Sequence, residues 1–174
     1  PGFLYQQNTM RDAMVAALTL DIFNSHCDRV VMANIAQMVN VLQAVILTDG
    51  AKMICTPTYH VFDLYKAHHD ANYLPSAITC GECSGVKQLT ATASEKEGVI
   101  TLTATNTSCT DALDVVVHLS GASAKNVTAR ILTGDMHDKN TFEDAEKVTV
   151  KPFDAVRVTE TGPVSYTHLR AHET

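Results

Sequence analysis

At 174 residues the chain can bury one good core or two small ones. Its net charge of −6, with Lys and Arg scattered singly, offers no cluster to replace counterions on phosphate, which argues against a nucleic-acid partner. No apolar run reaches the roughly 18–20 residues that span a bilayer, and no basic-then-apolar leader is read; the start at Pro1 reads as that of an internal fragment.

Asn8-Thr9 precedes a helical pattern, with Thr9 and Asp12 at capping-box spacing and Asp standing where Glu is preferred. Met10, Met14, Ala17 (or Leu18) and Asp21-Ile22 recur every three to four residues, which predicts a helix over residues 10–25. Arg29-Val30-Val31-Met32-Ala33 is a short apolar run bounded by charge on one side and Asn34 on the other. Its length and its place after a capped helix predict a buried parallel strand. Gln37, Asn40 and Gln43 then interrupt apolar residues without a clean period, as in a loop. Thr56-Pro57 starts the next helix, with the Thr hydroxyl as N-cap and Pro where its missing N–H costs nothing. Tyr59, Val61, Phe62, Leu64 and Tyr65 form its apolar face, and the helix is expected to end near Asp70.

From Val86 the period changes to two. Leu89-Thr-Ala-Thr-Ala-Ser and Val99-Ile-Thr-Leu-Thr-Ala-Thr flank Glu95-Lys-Glu-Gly98 and predict a hairpin whose turn Gly98 supplies. Further strands are expected over 114–119, 126–132 and 147–150, with 156–159 as a penultimate one. The order predicts α/β followed by all-β: the last part of a (β/α)8 barrel (residues 1–73), then a jelly-roll-like antiparallel β-sandwich (74–162). Residues 74–85 form the link. Residues 163–174 show no strand alternation and are expected to be a non-native tail, extended or poorly packed.

In barrels the reactive groups follow the C-terminal ends of strands. Asn34, Gln37 and Asn40 lie just past the predicted strand, and an amide offers donors and an acceptor that suit sugar hydroxyls; loop amides equally cap backbone groups. His26-Cys27-Asp28 has the residue types of a nucleophilic triad, but consecutive side chains do not converge, and the three read as helix-end residues. His60, His68 and His69 lack the spacing of a metal site, and Asp63 and Asp70 read as solvated. The five cysteines are an odd, irregular set: Cys27 and Cys55 read as reduced core thiols, in keeping with a reducing, cytoplasmic setting. Cys80-Gly-Glu-Cys83 lacks the second ligand pair that a zinc site needs. Asn106-Thr-Ser and Asn126-Val-Thr are glycosylation sequons that matter only in a secreted eukaryotic protein.

Pro1-Gly-Phe-Leu-Tyr-Gln-Gln-Asn-Thr, Asn24-Ser-His-Cys-Asp-Arg, Met32-Ala-Asn-Ile-Ala-Gln-Met-Val-Asn-Val-Leu-Gln and Pro57-Thr-Tyr-His-Val-Phe resemble the C-terminal part of the α-L-arabinofuranosidases of glycoside hydrolase family 51. The likeness is dense to about Pro75, looser to about Thr161 and absent afterwards. It implies a retaining, exo-acting enzyme that releases terminal arabinofuranose from arabinan, arabinoxylan or arabino-oligosaccharides, often as a homo-oligomer and without metal or organic cofactor. It also implies that Gln37, in Ala36-Gln37-Met38-Val39-Asn40-Val41, reaches the sugar, while Asn34 and Asn40 hold the loop. Retention needs two carboxylates about 5–5.5 Å apart. Both glutamates of the family lie on earlier strands, so the chain alone is expected to be inactive. The rival readings are a related barrel glycosidase, such as a β-xylosidase, and a non-catalytic carbohydrate-binding sandwich.

Overall fold

A computed structural model describes residues 4–6, 8–108, 110–159 and 164–169. Helix α1 (Met10–Ser25) begins where the Asp12 carboxylate accepts the Thr9 backbone N–H at 2.7 Å and the Thr9 hydroxyl at 2.9 Å. The N–H groups of Met10 and Arg11 donate to the carbonyls of Asp138 and Met136 at 2.8 and 3.1 Å, so a distant loop takes two of the first turn's spare donors. Ala13, Ala17, Leu20 and Asp21 are buried, which is one stripe of helical period.

The expected parallel strand over 29–33 does not form. A turn covers 26–29, the chain runs irregularly to Ile35, and Val31 and Met32 are 91% and 69% exposed. A strand's hydrogen bonds come from its neighbours, and no named strand among the described residues pairs with this run. The chain forms a hairpin instead, with β1 (Ile46–Asp49) antiparallel to β2 (Lys52–Cys55). Gly50, at φ 56°, opens its two-residue loop, and this turn was missed in the sequence.

Helix α2 (Pro57–Tyr65) has Pro57 in its first turn, as expected, but the Thr56 hydroxyl does not cap it. That hydroxyl donates to the carbonyls of Ala44 and Val45 at 3.0 and 3.2 Å. The α-helix stops at Tyr65, short of Asp70, and a 3-10 turn (Lys66–His68) follows. Ala13, Ala17, Leu20 and Val61 form one core between the helices, edged by Phe62, Tyr65 and Leu132. A second, smaller core joins Ala44, Leu47 and Ile54 to Tyr5 and Phe142.

Strand β3 (Asn72–Leu74) follows, then a small hairpin of β4 (Glu82–Cys83) and β5 (Val86–Lys87) inside the expected link. β6 (Leu89–Lys96) and β7 (Val99–Asn106) pair from Leu89↔Asn106 to Lys96↔Val99. Both turn residues, Glu97 and Gly98, have positive φ (54° and 80°), as a type I′ turn requires. β3 joins the other edge of β6, so Asn72–Leu74 leads directly into the three-stranded sheet β3-β6-β7.

β8 (Leu113–His118) alternates half-buried Leu113, Val115 and Val117 with exposed Asp114, Val116 and His118. Of the strand expected over 126–132 only β9 (Arg130–Ile131) forms, paired with β10 (Lys151–Pro152) just beyond the strand expected over 147–150. Residues 148–150 form no strand, and buried Val148 is hydrogen-bonded through Asn140 instead. β11 (Val156–Thr159) and β8 flank β12 (Val164–Leu169) in a second three-stranded antiparallel sheet. Residues read from the sequence as a tail without strand character thus have their backbone paired on both sides over Val164–Leu169. The rest of that stretch, 163 and 170–174, lies outside the described residues.

Candidate substrate-binding loop and its supports

The side chains of Asn34, Gln37 and Asn40 are all exposed on the irregular segment that leads into β1. Gln37 stands immediately before a tightly tied stretch. The Met38 carbonyl accepts the N–H groups of Val45 and Ile46 at 3.1 and 3.0 Å, Val39 forms a parallel bridge with Ile46, and the Asn40 N–H donates to the Ile46 carbonyl at 3.1 Å. Asn40 sits at φ 62°, a left-handed conformation that Asn tolerates better than most residues. Its amide closes a clasp: Nδ2 donates to Thr48 Oγ1 at 2.8 Å, and Oδ1 accepts the Thr48 N–H at 2.7 Å. Thr48 carried no signal in the sequence, because its role follows from a hairpin that was not foreseen.

The hairpin is itself anchored. The Ala44 carbonyl accepts from the Asn8 side-chain amide as well as from the Thr56 hydroxyl. Asn140, only 5% exposed, donates to the carbonyls of Cys55 and Val148 at 2.9 and 2.8 Å and accepts the Val148 N–H at 2.7 Å. One side chain thus fixes the end of β2 to a loop 85 residues further on. An isolated Asn in a polar stretch gives no sequence signal for such a role.

A second polar cluster joins the helices to the sheet. Asp21, 6% exposed, accepts the hydroxyls of Tyr65, Thr90 and Thr92 at 2.7, 2.6 and 2.7 Å. Next to it, His68 Nδ1 lies 2.7 Å from Ser94 Oγ and Nε2 lies 3.0 Å from Thr103 Oγ1. The Thr and Ser of β6 and β7 therefore face the helices, where a hydrophobic-in pattern would have put them in water. Burial and the Asp21 carboxylate push the Tyr65 phenol well up.

Burial also lowers the His68 pKa, against the smaller opposing pull of Asp21. A folded-state pKa below the unfolded value means that folding favours the neutral ring. Its contribution is full above the unfolded value of about 6.5 and is lost as pH falls through the folded value. Burial shifts His60 in the same direction. The unfolding midpoint should therefore fall between about pH 7.5 and pH 5, and His68→Gln should flatten that slope. Equal slopes for the two proteins would remove His68 from the account.

The remaining candidates are not gathered into a site. His26, Cys27 and Asp28 lie exposed on the turn after α1, so Cys27 is not the core thiol expected from its neighbours. Cys55 is half-buried, with its thiol pKa raised by burial. Cys80 and Cys83 are free thiols, and among the described residues no group of three or more His, Cys, Asp or Glu stands where it could hold a metal ion. The Asn106 side chain is 7% exposed overall and bonded to Asp111 O and the Ser108 N–H, which closes that sequon to a glycan. No helix among the described residues is long and apolar enough to cross a membrane.

The model of the α-L-arabinofuranosidase C-terminal domain matches residues 1–170, beyond the limit near Thr161 set by the sequence resemblance. The chain belongs to that family. It is 46% identical over 164 residues, 90% of its length, to an intracellular exo-α-L-arabinofuranosidase from Bacteroides ovatus, of which it spans 32%. Among solved structures it resembles the GH51 arabinofuranosidase from Xanthomonas axonopodis pv. citri, with a TM-score of 0.88 and 42% identity over 98% of this chain and 36% of that one. A family 51 α-L-arabinofuranosidase from Bifidobacterium longum gives a TM-score of 0.85 and 27% identity over 98% and 35%. The arabinofuranosidase C-terminal domain seen here thus spans about a third of each relative, and its helices and antiparallel sheets follow the fold of that part.

Proposed function

We propose that the chain is the C-terminal part of a retaining, exo-acting α-L-arabinofuranosidase that releases terminal arabinofuranose from arabinan, arabinoxylan or arabino-oligosaccharides. The observation that carries this reading is the 46% identity to an exo-α-L-arabinofuranosidase of which the chain spans only 32%. In this reading Gln37 reaches the sugar with its exposed amide. The two carboxylates of a retaining mechanism, about 5–5.5 Å apart, come from the remainder of the enzyme. Asp21 is buried and accepts three hydroxyls, and Asp28 is exposed on a turn, so neither is placed as a nucleophile or acid. The exposed Val31, Met32 and Met38 offer an apolar surface for that remainder to cover. An intracellular setting is supported by the name of the Bacteroides relative and by free Cys27, Cys55, Cys80 and Cys83.

The longer enzyme should hydrolyse an aryl α-L-arabinofuranoside in preference to an aryl β-xyloside, and the purified 174-residue chain should turn over neither. Preference for the xyloside would overturn the substrate reading. Turnover by the chain alone would show that it holds its own catalytic pair.

A further inference from the structure

We propose that Thr48 is a positioning residue: through its clasp with Asn40, on a hairpin that Asn140 ties to the 135–148 loop, it sets the orientation of Gln37. The inference rests on the reading of Gln37 as a sugar contact. The segment is held unevenly. On the C-terminal side of Gln37, Met38 and Asn40 are bonded to the Val45–Ile46 stretch, Val39 bridges to Ile46, and Asn40 Nδ2 and Oδ1 grip the hydroxyl and N–H of Thr48 at 2.8 and 2.7 Å. On the other side, the segment from Val31 to Ala36 is irregular, and Val31 and Met32 are largely exposed. The backbone direction at Gln37 is therefore inherited from the clasp.

The grip is local and solvent-exposed, since both Asn40 and Thr48 are exposed, and it adds little to global stability. Its worth lies in geometry. A side chain that meets a transition state loses effect when displaced by about an ångström. The hairpin does not float either, because Asn140 holds the Cys55 carbonyl at 2.9 Å and Cys55 pairs with Ile46, the residue that Asn40 bonds. A loop of the C-terminal sheets is thereby connected to the candidate sugar contact through one strand pair.

Two variants separate the contributions. Thr48→Val removes the hydroxyl that accepts from Asn40 and keeps the N–H. Asn40→Gly removes the side chain and keeps a residue at ease at φ 62°. In hydrogen exchange on this chain, either variant should speed exchange of the Val45 and Ile46 amides about tenfold and leave the α1 amides unchanged. Unchanged protection would overturn the clasp itself.

In the longer enzyme, Thr48→Val should lower kcat about tenfold with a smaller change in KM, Thr48→Ser should restore most of it, and in a Gln37→Ala background Thr48→Val should cost less than about twofold. An equal cost in both backgrounds, or none in either, would overturn the positioning role. If Gln37→Ala itself leaves kcat/KM unchanged while the exchange result holds, the sugar contact fails and the clasp stands as a structural feature only.

Discussion

Asp21→Ala is expected to destabilise the chain by about 3–5 kcal/mol. The carboxylate is 6% exposed and accepts three hydroxyls, from Tyr65, Thr90 and Thr92, at 2.6–2.7 Å. Removing it leaves three donors in or at the edge of a buried site, each costing about 1–3 kcal/mol when buried and unpaired. Some of that is recovered, because Tyr65 Oη also lies 3.3 Å from the Ala17 carbonyl and Asn24 Nδ2 lies 3.4 Å from Thr92 Oγ1. The total therefore falls below the simple sum. Urea unfolding of the variant beside Asp28→Ala, an exposed turn carboxylate worth about 0.5 kcal/mol or less, gives the comparison. A loss below about 1 kcal/mol would mean that the hydroxyls find other partners and that Asp21 does not organise the junction.

Gln37→Ala acts in the opposite register. The side chain is exposed, so the stability of this chain should change by less than about 0.5 kcal/mol. In the longer enzyme kcat/KM should fall roughly 10-fold to a few hundred-fold, the scale of about 1–3 kcal/mol for a lost polar contact in the transition state. Steady-state kinetics on an aryl arabinofuranoside measures it. Wild-type kinetics in the variant would leave Gln37 as an ordinary surface amide. A rise in KM at constant kcat would assign it to ground-state binding.

Local chemistry was the most readable part of the sequence. Thr9 and Asp12 marked the start of α1, Pro57 that of α2, and Gly98 the turn of the β6–β7 hairpin, each through a preference that operates within a few residues. Features set by distant partners were not readable. Residues 29–33 have strand composition, but composition cannot supply the neighbours that a parallel strand bonds to. Thr56 was read as a cap, yet the Ala44 and Val45 carbonyls take its hydroxyl. In the sequence Asp21 is only a helical-period position, because Thr90 and Thr92, whose hydroxyls it accepts, lie about seventy residues away. At the candidate site, family resemblance points to Gln37, and nothing in the sequence points to Thr48 or Asn140. Their roles depend on a hairpin and on a contact across 85 residues.

The Thr- and Ser-lined face of β6 and β7 also bears on what happens when the helices come away from the sheet. A sheet face of Val and Leu uncovered in this way is water-repellent and recruits the nearest apolar surface, often another unfolding molecule. Here the uncovered face would present Thr90, Thr92, Ser94 and Thr103, all of which water can wet. Opening at this joint forfeits directional bonds while creating little sticky surface. The joint is therefore suited to part and close again, and exposed apolar side chains lie off this face, at Val31, Met32 and Met53 and at Ile100 and Leu102, which alternate with Thr101 and Thr103 along β7.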